Sequence, residues 1–118
     1  MYIYHCKIER WIDGDTVDLV IDIGLRGLTM NERARVAHIN CPETSSKDVA
    51  EKIAGEAARK FAFDLAPPGT LITVVTRNGG DYDKYGRWLT EITLPDGRDF
   101  SKEIMKAGHA IPYEGGKR

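Results

Sequence analysis

Residues 11–19 read WIDGDTVDL, and the fold turns on how this stretch is taken. After it, Val17, Leu19, Ile21 and Ile23 alternate with Asp18 and Asp22, the period of a half-buried strand. Before it, Tyr2, Tyr4, Cys6, Ile8 and Ile12 fall on one face, with His5, Lys7 and Glu9 on the other. Asp13-Gly14 between the two runs is the dipeptide a tight hairpin turn favours. A hairpin explains one aspartate and the glycine. It does not require Asp15 and Thr16 directly behind them, so Asp15 is either loop decoration or a ligand.

Outward from the hairpin, Gly24 and Gly27 mark a second turn, and ERARVAHINC, 32–41, reads as a third strand ending before Pro42. The period then changes. Val49, Ile53, Ala57, Phe61 and Leu65 fall four apart, beside Ala50, Ala54 and Ala58, which predicts an amphipathic helix. Ser45 or Ser46 is the candidate cap, although Gly55 can delay ordered helix to about that point. APPG at 66–69 stops it. TLITVVTR, 70–77, reads as a strand buried on both sides, NGGDYDKYG, 78–86, as a loop, and RWLTEITL, 87–94, as a fifth strand. PDG, 95–97, is a turn, Ser101 caps a short helix with Phe100 and Met105 as its staple, and Gly108 ends that helix. The tail YEGGKR, 113–118, reads as frayed. Strands in this order, with a helix between the third and fourth and another near the C-terminus, do not suit a parallel sheet. They suit a mainly β, α+β domain: a five-stranded barrel of the oligonucleotide-binding type over residues 1–118, with a split sheet and packed helix as the alternative.

The chain has 118 residues, which suits one domain. Its formal net charge is −1, so no global field draws it to a polyanion, and such binding must come from a local cluster. Cys6 and Cys41 match neither a zinc spacing nor a disulfide framework. No run of 18 apolar residues is present, which argues against a membrane-spanning helix, and the polar-interrupted MYIYHCKIER does not read as a signal peptide. The expectation is a monomer in the cytoplasm, or a secreted one if the chain is a mature fragment.

Two clusters carry polar chemistry. The third strand and its exit hold Arg33, Arg35, Asn40, Pro42 and Glu43, with Arg35, Ala37, Ile39 and Cys41 alternating onto one face. An arginine on such a face reaches either an anion or the barrel rim. Glu43 is fixed just past a strand end. The second cluster, DYDKYGR at 81–87, sets Lys84, Tyr85 and Arg87 around Gly86, donors of the kind a phosphate needs, or simply a polar turn. If Asp15 and Asn40 meet, their oxygens and a backbone carbonyl can hold a hard cation. His5, His38 and His109 form no triad or metal spacing, and Trp11 and Trp88 read as core or rim aromatics.

WIDGDTV at 11–17, RVAHINCPE at 35–43, GEA at 55–57, DKYGR at 83–87 and IMKAGHA at 104–110, in this order, resemble the staphylococcal nuclease (thermonuclease) family across about residues 5–112. The resemblance implies the same barrel and a calcium-dependent nuclease cutting DNA and RNA, single-stranded preferred. It implies Arg35, Glu43 and Arg87 as the catalytic trio, Asp15, Asn40 and the Cys41 carbonyl as calcium ligands, and Lys84 and Tyr85 on a terminal phosphate. Tyr113 would stack on a base. The family has an aspartate where this chain has Asn40, so weaker calcium binding is expected. That departure keeps a second expectation open: a nucleic-acid or protein-binding module of the same fold that does not cut.

Overall fold

The computed structural model describes residues 2–76 and 82–113. The ends of three sequence readings therefore lie outside the described residues: Arg77 of the fourth strand, residues 78–81 of the following loop, and 114–118 of the tail.

β1 (Tyr2–Asp13) and β2 (Thr16–Asp22) form the expected hairpin, with Asp13 paired to Thr16. The turn itself is Gly14-Asp15 rather than Asp13-Gly14. Gly14 is required by space: a Cβ there would lie 2.9 Å from Cys41 Sγ and 3.0 Å from Ala58 Cβ. β3 (Thr29–Val36) pairs with β2, and β5 (Leu71–Thr76) pairs with β1 and with β6 (Trp88–Thr93). A parallel pairing of β3 with β6 completes a closed barrel in the order β1-β2-β3-β6-β5, the five-stranded architecture expected. α1 (Val49–Leu65) lies between the third and fourth barrel strands, and α2 (Phe100–Lys106) follows the fifth.

Several local readings are corrected. The third strand does not run to Cys41. It stops at Val36, where Ala37 donates to the Thr90 carbonyl and His38 takes a left-handed φ of 74°. The chain resumes as β4 (Ile39–Asn40), paired with β7 (Ile111–Pro112), so the face drawn through Arg35, Ala37, Ile39 and Cys41 is interrupted. In β1 a register shift between Ile8 and Arg10 changes the parity, which buries Trp11 rather than Ile12. The Trp11 ring stacks on Phe100 with centroids 4.9 Å apart, and its N–H donates to the Ala66 carbonyl at 2.8 Å. That one side chain joins β1 to both helices.

α1 starts at Val49 with Asp48 at its cap position, so neither serine caps it, and Gly55 lies within it. Its buried face is Gly55, Ala58 and Ala62, while Val49 and Ile53 are exposed. The small side chains let the helix backbone come close, which large ones at those places would prevent. β5 alternates instead of being buried on both sides: Ile72, Val74 and Thr76 face in and Leu71 faces out. α2 is capped by Asp99, whose carboxylate accepts from the Lys102 N–H. Ser101 sits inside the helix and donates to the Ala37 carbonyl, and Phe100 is core rather than staple. Among the described residues no helix is long and apolar enough to cross a membrane.

Candidate active site

The site is built at the end of the barrel where the β1-β2 turn meets the exit of β4. Arg35 stands on β3 opposite Thr16 of β2 and beside Leu89 of β6. The Val36 N–H donates to the Asp15 carbonyl, and the Thr90 hydroxyl donates to the Arg35 carbonyl. Backbone pairing on both sides thus fixes where its guanidinium emerges. Only 8% of Arg35 and 6% of Asp15 is exposed. Arg35 Nη1 lies 3.5 Å from Asp15 Oδ2 and donates to the Val36 carbonyl, and Nη2 donates to Asn40 Oδ1 at 3.4 Å. A buried carboxylate without a partner would be costly, and this arginine together with two hydrogen bonds supplies the compensation. Those bonds come from the Cys41 N–H, 2.8 Å from Asp15 Oδ2, and the Thr16 hydroxyl, 3.2 Å from Oδ1.

Arg87 reaches the same turn from the other side. Its Nη1 donates to Thr16 Oγ1 at 3.2 Å, and Thr16 in turn donates to Asp15. Asp83 holds the opposite edge of that guanidinium: Oδ2 lies 2.7 Å from both Nε and Nη2, and Oδ1 accepts the N–H groups of Tyr85 and Arg87 at 2.9 Å. Lys84 Nζ and Arg87 Cζ each lie 5.4 Å from the centre of the exposed Tyr85 ring. Arg35 Cζ lies 5.7 Å from the Tyr113 ring, and Tyr113 donates its N–H to the His38 carbonyl. Arg35 therefore gathers Asp15, Asn40 and Tyr113, Asp15 in turn holds Cys41, and Arg87 with Lys84 and Tyr85 joins them through Thr16.

Glu43 is exposed, and among the described residues no hydrogen bond holds its carboxylate. Its backbone is held instead. Its neighbour Thr44 donates both N–H and O–H to Asp13 Oδ1, at 3.0 and 2.8 Å. Asp13, Thr16, Thr44 and Asp83 are site residues to which sequence reading gave no role. Asp83 carried one usable signal: an aspartate opening a turn closed by Gly86, whose N–H bonds to the Asp83 carbonyl and whose φ is 80°.

Asp83 titrates below the ordinary carboxylate range. Burial acts to raise it, but the Arg87 N–H, the Arg87 guanidinium and the Tyr85 N–H outweigh that. In the window below the unfolded value of about 3.9 the folded state then binds fewer protons than the unfolded one. The stability from this carboxylate is fully present above pH ~4 and is lost as pH falls through the lower folded value. In urea titrations the gap between wild type and Asp83→Asn is therefore expected to narrow on acidification below pH ~4. A gap unchanged from pH 7 to pH 2 contradicts this.

The Asp15 carboxylate and the Asn40 amide oxygen both lie against the Arg35 guanidinium, and with the Cys41 carbonyl they would make an oxygen-only donor set, the chemistry that suits a hard cation. Burial, then the nearby Asp15 charge, pushes the Cys41 thiol up to about 12. Among the described residues no group of three or more His, Cys, Asp and Glu is placed to bind a metal. A cation held by that donor set would meet one carboxylate, an amide and a carbonyl, a low charge count.

A family model described as staphylococcal nuclease homologue matches residues 33–118. Two curated relatives, from Escherichia coli O157:H7 and Escherichia coli, each carry the name uncharacterized endonuclease and are 26% identical over 110 residues. The match covers 93% of this chain, and the chain spans about 61% of the length of those relatives.

Proposed function

The chain belongs to the staphylococcal nuclease homologue family, and from that we propose that it hydrolyses phosphodiester bonds of DNA and RNA with low sequence specificity, using calcium. One observation supports this most strongly: arginines from β3 and from the β5-β6 connection, far apart in sequence, meet through Thr16 at the Asp15 turn. Phosphoryl transfer concentrates charge on the equatorial oxygens, and preorganised cationic donors stabilise it there.

In this reading Arg35 and Arg87 bind the scissile phosphate as forked donors, each oriented from behind by a carboxylate, Asp15 or Asp83. Glu43, exposed just past β4, takes a proton from the attacking water. Calcium held by Asp15, Asn40 and the Cys41 carbonyl would supply Lewis-acid stabilisation of the phosphoryl oxygens. Lys84 and Tyr85 bind a neighbouring phosphate, and Tyr113 offers a face to a base. With a net charge of −1, binding rests on this local cluster. Single-stranded substrates, whose unpaired bases are free to stack on an aromatic face such as Tyr113, are the expected preference.

Cleavage of single-stranded DNA is expected with calcium and not with chelator, and Glu43→Gln should slow it by about 10²–10⁴-fold. Asn40→Asp restores a ligand charge and should tighten calcium about tenfold by calorimetry, ~1.4 kcal/mol. Salt-sensitive binding that is indifferent to calcium, with no cutting at high calcium and Glu43→Gln equal to wild type, would instead establish the binding-module reading that Asn40 favours.

A further inference from the structure

Gly14 is flanked by two aspartates, Asp13 and Asp15, and they hold the two ends of one short segment. Asp15 Oδ2 accepts the Cys41 N–H at 2.8 Å, and Asp13 Oδ1 accepts the Thr44 N–H at 3.0 Å and the Thr44 hydroxyl at 2.8 Å. Pro42 and Glu43 lie between these ties, with Pro42 fixing its own φ. Behind the segment is α1. A Cβ on Gly55 would sit 2.6 Å from the Glu43 carbonyl carbon, 2.7 Å from its oxygen and 2.8 Å from the Thr44 nitrogen. These are backbone atoms, which cannot swing aside as a side-chain end can.

We propose that Asp13 is a positioning residue for Glu43, acting through Thr44, with Gly55 the seat against which the Glu43 backbone is pressed. Glu43 carries an exposed carboxylate, so its aim depends on where its own Cα is held. The clamp fixes that Cα from three directions: Asp15 before it, Asp13 after it and Gly55 behind it. Misplacing a reacting group by about 1 Å can cost on the order of 100-fold in rate. Asp13 therefore contributes an acceptor oxygen, not a charge for the cation, and this rests on Glu43 being the base proposed above.

The test is a double-mutant cycle on the full chain, with single-stranded DNA at saturating calcium. Asp13→Ala should lower kcat by on the order of 10–100-fold, with KM and calorimetric calcium affinity within about twofold of wild type. Asp13→Asn keeps an Oδ1 acceptor and should recover most of the lost rate. Gly55→Ala should lower kcat as Asp13→Ala does. In the Glu43→Gln background, Asp13→Ala should add almost nothing. If Asp13→Ala fails to fold, Thr44→Val, which removes only the hydroxyl donor, carries the same cycle. Asp13→Asn as slow as Asp13→Ala, a large loss of calcium affinity, or full multiplication of the two effects in the double mutant would each overturn the proposal. A wild-type rate for Glu43→Gln alone would instead overturn the reading of Glu43, so the two failures are distinguishable.

Discussion

Arg87→Ala is expected to slow phosphodiester cleavage by about 10³–10⁵-fold, the range an arginine commands when it stabilises charge on a transferring phosphoryl group. The chain is expected to stay folded. Arg87 is partly exposed, and Asp83 keeps the N–H groups of Tyr85 and of residue 87 when the guanidinium is gone. Arg87→Lys should recover little. The fork spans Asp83 on one edge and Thr16 on the other, and a single ammonium on a flexible stem cannot hold both. Single-turnover rates with calcium in excess, beside a near-ultraviolet circular dichroism spectrum, are the measurement. A loss below tenfold in a folded variant would remove Arg87 from the chemistry.

Arg35→Met is expected to abolish activity to a similar degree, and also to destabilise the fold by about 3–5 kcal/mol. The difference from Arg87 is burial. Arg35 and Asp15 are both nearly inaccessible, and the guanidinium is the only cation the structure places beside that carboxylate, at 3.5 Å among the described residues. Removing it leaves a buried charge with two hydrogen bonds, from Cys41 and Thr16. The double variant Arg35→Met with Asp15→Asn should regain most of the lost stability and none of the activity, because the uncompensated charge goes while the phosphate donor stays absent. Urea unfolding of wild type, Arg35→Met, Asp15→Asn and the double variant reads the first part, and nuclease assays read the second. Stability unchanged in Arg35→Met would mean that Asp15 is solvated or protonated.

The barrel was legible because its hairpins declare themselves: alternation across 2–12 and 17–23, glycines at 24 and 27, and a change of period at the helix. What was not legible has a common cause. Each missed feature is decided by a distant segment. A bulge in β1 turns Trp11 inward to meet Phe100, some ninety positions away along the chain. The helix buries Gly55, Ala58 and Ala62 because it must approach the Glu43 backbone and Gly14 closely, so hydrophobic periodicity, which weighs large side chains, rightly took in Ala58, Phe61 and Leu65 but also the exposed Val49 and Ile53. The third strand breaks at His38 although its local sequence is good strand, because pairing with β6 and β7 draws the chain aside. In the site, residue types that bind phosphate stood out and their supports did not. Asp13 reads as a hairpin aspartate until Thr44 is seen on its carboxylate, and Asp83 as loop polarity until it is seen gripping Arg87. The second aspartate of the opening stretch is explained the same way: one ties Cys41 and the other ties Thr44.

The central claim is that two guanidinium groups, one from β3 and one from the β5-β6 connection, converge on one phosphate. A crystal structure of the chain with calcium and a non-hydrolysable phosphorothioate dinucleotide tests it most directly. The account predicts donors of Arg35 and Arg87 on oxygens of the same phosphate, about 2.7–3.0 Å away, with the cation against Asp15 and the Glu43 carboxylate facing the phosphorus from the far side. A dinucleotide bound elsewhere on the barrel, or a phosphate touched by only one of the two arginines, would contradict it.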